Sequence, residues 1–284
     1  MRLVVLGHGY SAGFLTRRLV PQGWQVTGTT RGDPAAMAAT GAAPLLWPGE
    51  GGLLRAELAR ADAILVSIAP DEAGDPVLRD LSEAIAASPA RWLGYLSTTG
   101  VYGDRGGDWV DEDSDLAPST RRGQQRVAAE AAWRELAQAH DLPLHVFRLA
   151  GIYGPGRGPF EKVRNGTARR IIKPGQVFSR IHAEDIAQVL AASIAQPRPG
   201  GIYNVCDDDP APPQDVLAHA AQLCGLPPPP AEDFASAEMT PMARSFYAES
   251  KRVRNDRIKD ELGVRLLHPD YRSGLAALLA AEAG

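Results

Sequence analysis

A chain of 284 residues with 44% apolar and 23% charged side chains is too apolar for a disordered polymer and long enough for a large α/β domain with an appended lobe. Its formal net charge of -4 lacks the basic excess of a nucleic-acid binder, so no nucleic-acid partner is expected. The only cysteines, Cys206 and Cys224, give neither a disulfide framework nor paired zinc spacing; no metal site is expected. No run approaches the roughly 18 apolar residues of a membrane span, and Met1 leads straight into an apolar segment without a signal-peptide pattern. The expectation is a reduced, cytoplasmic protein of a bacterium, with no membrane partner.

In chain order, an apolar run (Leu3 to Leu6) predicts a strand. A glycine turn (Gly7-His8-Gly9-Tyr10-Ser11-Ala12-Gly13), a helix-like segment (Phe14 to Leu19) and a second strand (Trp24 to Thr27) follow. The turn reads GxGxxA in one βαβ length, the context of a dinucleotide site. Gly7 would make the tight turn, Gly9 would let backbone approach a diphosphate, and Ala12 would allow close helix packing. The alternative is a glycine turn that only joins strand to helix. Cofactor contacts are expected from Gly7, Gly9, Tyr10, Ser11 and Ala12, and from Ser67, Ile68 and Ala69 after a later strand. The second strand ends Thr29-Thr30-Arg31, a hydroxyl-hydroxyl-guanidinium series suited to a phosphate, so Thr30 and Arg31 favour NADP over NAD.

Further strands are predicted at Ala43 to Trp47, Ala63 to Ser67, Trp92 to Ser97 and Leu144 to Leu149, alternating with helices such as Asp75 to Ala87. The helix Gln124 to Ala139 is expected to turn Val127, Ala131, Trp133 and Leu136 to one face. This rhythm predicts an α/β fold, a Rossmann-type doubly wound parallel sheet with a smaller C-terminal substrate lobe. The core is assigned to 1–154 and the lobe mainly to 155–284, with 179–205 returning to the sheet. Between Arg157 and Arg180 stand Lys162, Arg164, Arg169, Arg170 and Lys173 against the single acid Glu161. They form either a solvated face or an anion-attracting rim. A Pro-rich stretch from Pro210 to Pro230 precedes a last helical segment, Gly274 to Ala283.

The segment Leu96-Ser97-Thr98-Thr99-Gly100-Val101-Tyr102-Gly103, followed by Val110-Asp111-Glu112, resembles the strand and loop of extended short-chain dehydrogenases/reductases, the NAD-dependent epimerase/dehydratase group. Arg148 to Gly156, Arg180 to Ile186 and Gly201 to Val205 agree in the same order. The resemblance implies that Thr98 positions a substrate carbonyl or hydroxyl. It also implies a Tyr that exchanges the proton and a Lys four residues on that tunes it. Aligning Arg126-Val127-Ala128-Ala129-Glu130 with the family's K-x-A-A-E puts Arg126 at the Lys position and Arg122 at the Tyr position. A guanidinium stays protonated above about pH 12 and cannot replace a phenol as acid or base.

Arg126 could still hold the nicotinamide ribose, and Arg122 could clamp a carboxylate or phosphate. With the departure from GxxGxxG at Tyr10, this is similar to an atypical bacterial subgroup described as YeeZ-like. The catalytic candidates are therefore Thr98, Tyr102, Arg122 and Arg126. Tyr153 also lies in an expected substrate loop, His182 is expected to pin the lobe interface with Asp185, and Lys251 and Arg252 match an SKR-like element. The resemblance implies an NADP-binding oxidoreductase or nucleotide-sugar-type epimerase/dehydratase acting by hydride transfer on a small, anionic substrate, as a homodimer. The alternative is a non-catalytic NAD(P)-binding redox sensor or regulatory protein.

Overall fold

Apolar runs too short for stable helices, punctuated by Gly, Pro and Asp, become strands in the computed structural model, which describes residues 1–283. The first half runs β1 (Arg2–Leu6), α1 (Tyr10–Leu19), β2 (Gln25–Thr30), α2 (Pro34–Ala38), β3 (Ala43–Leu46), α3 (Gly51–Leu58), β4 (Ala63–Val66), α4 (Pro76–Ala86), β5 (Trp92–Thr98), β6 (Trp109–Val110) and α5 (Arg121–His140). Next come β7 (Leu144–Leu149), β8 (Gly151–Tyr153), α6 (Phe160–Arg164), β9 (Arg170–Ile172), β10 (Arg180–His182), α7 (Ala183–Ala195) and β11 (Ile202–Val205). The chain ends with α8 (Pro213–Leu223), β12 (Ala231–Asp233), α9 (Pro241–Phe246), β13 (Arg252–Val253), α10 (Asp256–Asp260) and α11 (Tyr271–Ala283).

Seven strands form one parallel sheet in the order β11-β7-β5-β4-β1-β2-β3, the Rossmann-type doubly wound arrangement. The chain winds outward from β1 through β2 and β3, then crosses back to β4 and winds the other way. The carboxyl ends of β1 and β4 therefore flank the switch point, where ligands of such sheets bind. Alternate residues of β1 enter separate cores: Leu3 and Val5 join Leu15 of α1 and Leu190 of α7, while Val4 and Leu6 join Leu54 of α3, Leu81 of α4 and Trp133 of α5. All four are at most 1% exposed. Burying each contributes about 1.5–3 kcal/mol, which ties strand register to both helical layers.

The α5 stripe differs from the expected one. Ala131 is exposed, and the buried positions are Gly123, Ala129, Glu130 and Trp133. A carboxylate sets this register: Glu130 accepts Ser97 Oγ at 2.5 Å and Arg148 NH2 at 2.9 Å, both inside the protein. Asp75 adds a second polar anchor, capping α4 through the amides of Val77 and Leu78 and accepting Trp133 Nε1 of α5 at 2.9 Å.

Beyond the sheet, α6, α8 and α11 bring Phe160, Val163, Val216, Ala220, Leu275 and Leu278 into a third apolar cluster that includes Tyr153. Three short parallel pairs, β10–β8, β12–β9 and β13–β6, tie this region together. In this way β10 pairs outside the central sheet, whereas β11 lies at its edge. Among the described residues, no helix is long and apolar enough to cross a membrane.

Candidate functional site

Two clefts meet at the start of α1. Gly7, between β1 and this helix, has φ of +88°, and a Cβ there would come 2.5 Å from Ile68 Cγ1. Only glycine combines that left-handed backbone with so close a neighbour. An added Cβ at Gly9 would meet nothing within 4 Å, so bare backbone faces open space. Gly9 caps α1 without a side-chain hydrogen bond, leaving the first-turn N–H groups of Tyr10, Ser11 and Ala12 free for an anion. Ala12 is fully buried beneath them. These features fit a dinucleotide diphosphate.

The turn is locked from β2. Thr29 Oγ1 accepts Gly7 N at 2.8 Å, and its carbonyl accepts His8 N at 2.8 Å. Thr29 therefore faces inward, which corrects the expected surface series Thr29-Thr30-Arg31.

The first cleft, about 660 Å³, is lined by His8, Gly9, Tyr10, Arg17 and Thr30 among others. Arg31 is exposed and stands outside this lining. The guanidinium on the wall is that of Arg17, which leans back along α1 over the Phe14 ring at 5.2 Å and has no carboxylate partner among the described residues. Sequence reasoning missed Arg17. The usable signal was its place eight residues after Gly9, since long helical side chains point toward the N-terminus.

His8 Nε2 hydrogen-bonds Thr16 Oγ1 at 2.8 Å, and burial lowers its pKa, favouring the neutral ring. Tyr10 donates its hydroxyl to Pro155 O at 3.0 Å, joining the turn to the segment after β8.

The second cavity, about 930 Å³, opens at the carboxyl ends of β4, β5 and β7. Ser11, Ser67 and Ala69 line one end, and Thr98, Arg122 and Arg126 line another wall. Thr98 Oγ1 accepts Gly100 N at 3.2 Å, which leaves its hydroxyl proton available to donate. Arg126 is pinned to β5, with NH1 donating to Leu96 O at 2.6 Å and Tyr95 Oη at 3.1 Å. Arg122 is exposed at the start of α5 and, among the described residues, pairs with no carboxylate. The α5 sequence itself contains neither tyrosine nor lysine.

Tyr102 is corrected. It is fully buried and absent from the cavity wall; its hydroxyl donates to Asn204 Oδ1 at 2.7 Å and accepts from Arg148 NH1 at 2.9 Å. Burial pushes this phenol up to about 12, so it is a structural tie. His182 caps α7, with Nδ1 accepting Glu184 N at 3.3 Å, and its ring lies 3.9 Å from that of His268. Asp185 holds the same segment, accepting the amides of Leu267 and His268 at 2.7 and 3.0 Å.

The donor atoms of His182, Glu184 and His268 lie within 4.8 Å of one another, but capping occupies His182 Nδ1 and Glu184 occupies His268 Nε2.

The basic stretch divides. Arg164 pairs with Glu282, Arg169 with Glu232, and Lys173 donates to Tyr247 O, whereas Arg157 and Arg180 reach the cavity. With Arg122, Arg126 and Lys251 they outnumber the single acid Glu249 on the wall. Arg252 turns away to Gly107 O.

The NAD dependent epimerase/dehydratase family model matches residues 77–206. Protein YeeZ of Escherichia coli (strain K12) is 28% identical over 289 residues, covering 95% of this chain and 97% of its own. A 3-diazoavenalumate denitrifying reductase of Streptomyces sp is 30% identical over 211 residues, 69% of this chain and 67% of that one. Among solved structures, a functionally unknown conserved protein from Silicibacter pomeroyi DSS is 60% identical with a TM-score of 0.92, covering 99% of this chain and 98% of that one. Human epimerase family protein SDR39U1 (isoform2) with NADPH shares the fold at 20% identity and a TM-score of 0.77, each chain 99% covered. The ordered motifs, the parallel sheet and these likenesses agree: the chain belongs to the NAD dependent epimerase/dehydratase family, within its atypical short-chain dehydrogenase/reductase branch.

Proposed function

We propose that the protein is an NADP-dependent oxidoreductase acting on a small, anionic carbonyl or alcohol substrate. One observation carries this: the uncapped start of α1, with open space at Gly9, lies between a cleft walled by Arg17 and a larger cationic cavity walled by Thr98. Gly7, Gly9, Tyr10, Ser11 and Ala12 would hold the diphosphate, with Ile68 under the turn and Ser67 and Ala69 beside it. Arg17 and Thr30 would take the extra phosphate, the Arg17 guanidinium as the charge-assisted donor that Arg31 was expected to supply. Arg126 would hold the nicotinamide ribose. The bound nicotinamide supplies hydride chemistry at ring C4.

Thr98 donates a hydrogen bond to the reacting oxygen, and Arg122 fixes the substrate's carboxylate or phosphate, so orientation is the protein's main contribution. The reductase name of the Streptomyces relative and the NADPH of the human structure support a reductive, NADP-linked reading.

The test is loss of reduced-nicotinamide absorbance when the protein and NADPH meet carbonyl compounds with and without a carboxylate. Consumption with the carboxylated members, abolished in Thr98→Val at unchanged NADPH affinity, is expected. The absence of tyrosine and lysine from α5 supports a second reading, a redox sensor, and tight NADPH binding without consumption of any compound would establish it.

A further inference from the structure

The side chains of the larger cavity differ sharply in the protons they can release. Arg122, Arg126, Arg157 and Arg180 carry guanidinium groups, which donate hydrogen bonds but do not serve as proton donors. Tyr153 points its hydroxyl at Asp270 O, 3.5 Å away, and burial, reinforced by Asp207, Asp185 and Asp270, raises its pKa. Serine and threonine hydroxyls donate hydrogen bonds but surrender a proton only to an adjacent base.

Lys251 stands apart. It is 9% exposed, and Nζ donates to Gly103 O at 2.7 Å and to Glu249 Oε2 at 2.7 Å. Glu249 is held in turn by Ser119 Oγ at 2.6 Å. An ammonium has three N–H bonds, so two are fixed by protein acceptors and one remains for the cavity that Lys251 lines. An alkylammonium, like a phenol, can give one proton to an oxygen that is gaining charge, so the two groups suit the same proton-transfer task.

We infer that Lys251 is the proton donor of the reaction, taking the place of the family's tyrosine from a different element of the cavity wall. The inference rests on the oxidoreductase reading, with a reduced nicotinamide as reductant. As hydride adds to the carbonyl carbon, the C=O π pair moves to oxygen and an O–H bond forms with the Lys251 proton. The N–H electron pair stays on Nζ, and the neutral amine recovers a proton from water. Glu249 and Gly103 are positioning groups. The charged side chains that share the cavity wall with Lys251 are Glu249, Arg122, Arg126, Arg157 and Arg180, while Asp104 accepts the neighbouring Ser250 N at 2.7 Å.

The probe is 4-carboxybenzaldehyde. With cyanoborohydride and no nicotinamide, it is expected to be fixed reductively on Lys251 Nζ in preference to Lys162, Lys173 and Lys259, the chain's other lysines, as read by peptide mass spectrometry. With NADPH, Lys251→Ala and Lys251→Arg should each lower kcat by about 100-fold or more, the scale of general acid catalysis. NADPH affinity should hold in both, and methylammonium should restore part of the Lys251→Ala rate. Lys251→Arg keeps the charge and tests the proton even if the alanine variant folds poorly.

Labelling confined to the other lysines, or a wild-type rate in Lys251→Arg, overturns the assignment alone. Wild-type protein that binds NADPH yet reduces neither this aldehyde nor any other carboxylated carbonyl compound overturns the oxidoreductase reading and the assignment with it.

Discussion

Thr29 and Thr30, adjacent at the end of β2, do different work because a strand turns successive side chains to opposite faces. Thr29 is spent on the Gly7 amide, and Thr30 is left on the wall of the first cleft. Thr29→Val removes the acceptor from a part-buried N–H, and a cost of about 1–3 kcal/mol in chemical denaturation is expected. Arg17→Ala should weaken NADPH by about tenfold or more and leave NADH little changed, as removal of a charge-assisted phosphate contact requires. Equal weakening of both cofactors would assign Arg17 to packing.

His145 gives the pH-dependent case. It is fully buried, accepts Arg198 N at 2.8 Å through Nε2, and burial lowers its pKa from 6.5 to about 4. A base whose folded pKa is depressed contributes stability that is complete above 6.5 and lost as pH falls toward about 4. Wild type should therefore lose up to about 3 kcal/mol more than His145→Gln across that window, measured by urea unfolding. Parallel losses in the two proteins would contradict a neutral His145.

At the scale of elements, strands were legible because a sheet covered on both faces needs continuous apolar runs, as Leu3 to Leu6 and Ala63 to Val66 supply. The α5 face was not, because its deepest contact is polar. Apolar periodicity points to Val127 and Ala131, but Glu130 is drawn in by Arg148, a residue of the next strand. No local pattern reveals a partner 18 residues away. Breaking that buried pair with Glu130→Ala leaves the Arg148 charge uncompensated and should cost about 3–5 kcal/mol. The double variant Glu130→Leu with Arg148→Met should recover most of it. A loss below about 1 kcal/mol in the single variant would show that the pair does not set the helix.

The whole molecule joins two parts whose legibility differs. The glycine turn could be read in the sequence because phosphate binding uses backbone, and the backbone demands glycine at Gly7 and openness at Gly9. The substrate cavity was legible only through the family resemblance, which offered Thr98, Arg122, Tyr153 and Lys251 one by one; that they meet Arg180 around one cavity appears only in the fold, because β5, α5, β8, β10 and the residue before β13 lie far apart in the chain. The same separation explains why Tyr102 reads as a site residue beside Thr98 yet points into the core toward Asn204.

Tyr10 crosses between the parts through Pro155 O, so a ligand on the α1 turn should stiffen both. NADPH at about 100 times its Kd should stabilise the protein by about 2.7 kcal/mol.

Calorimetric titration of the wild-type protein with NADPH and NADH tests the central claim most directly, that the uncapped turn and its arginine-walled cleft form an NADP site. The expected result is one site per chain, with NADPH bound at least about tenfold more tightly than NADH. Equal affinities, or no heat of binding from either nucleotide, would contradict it.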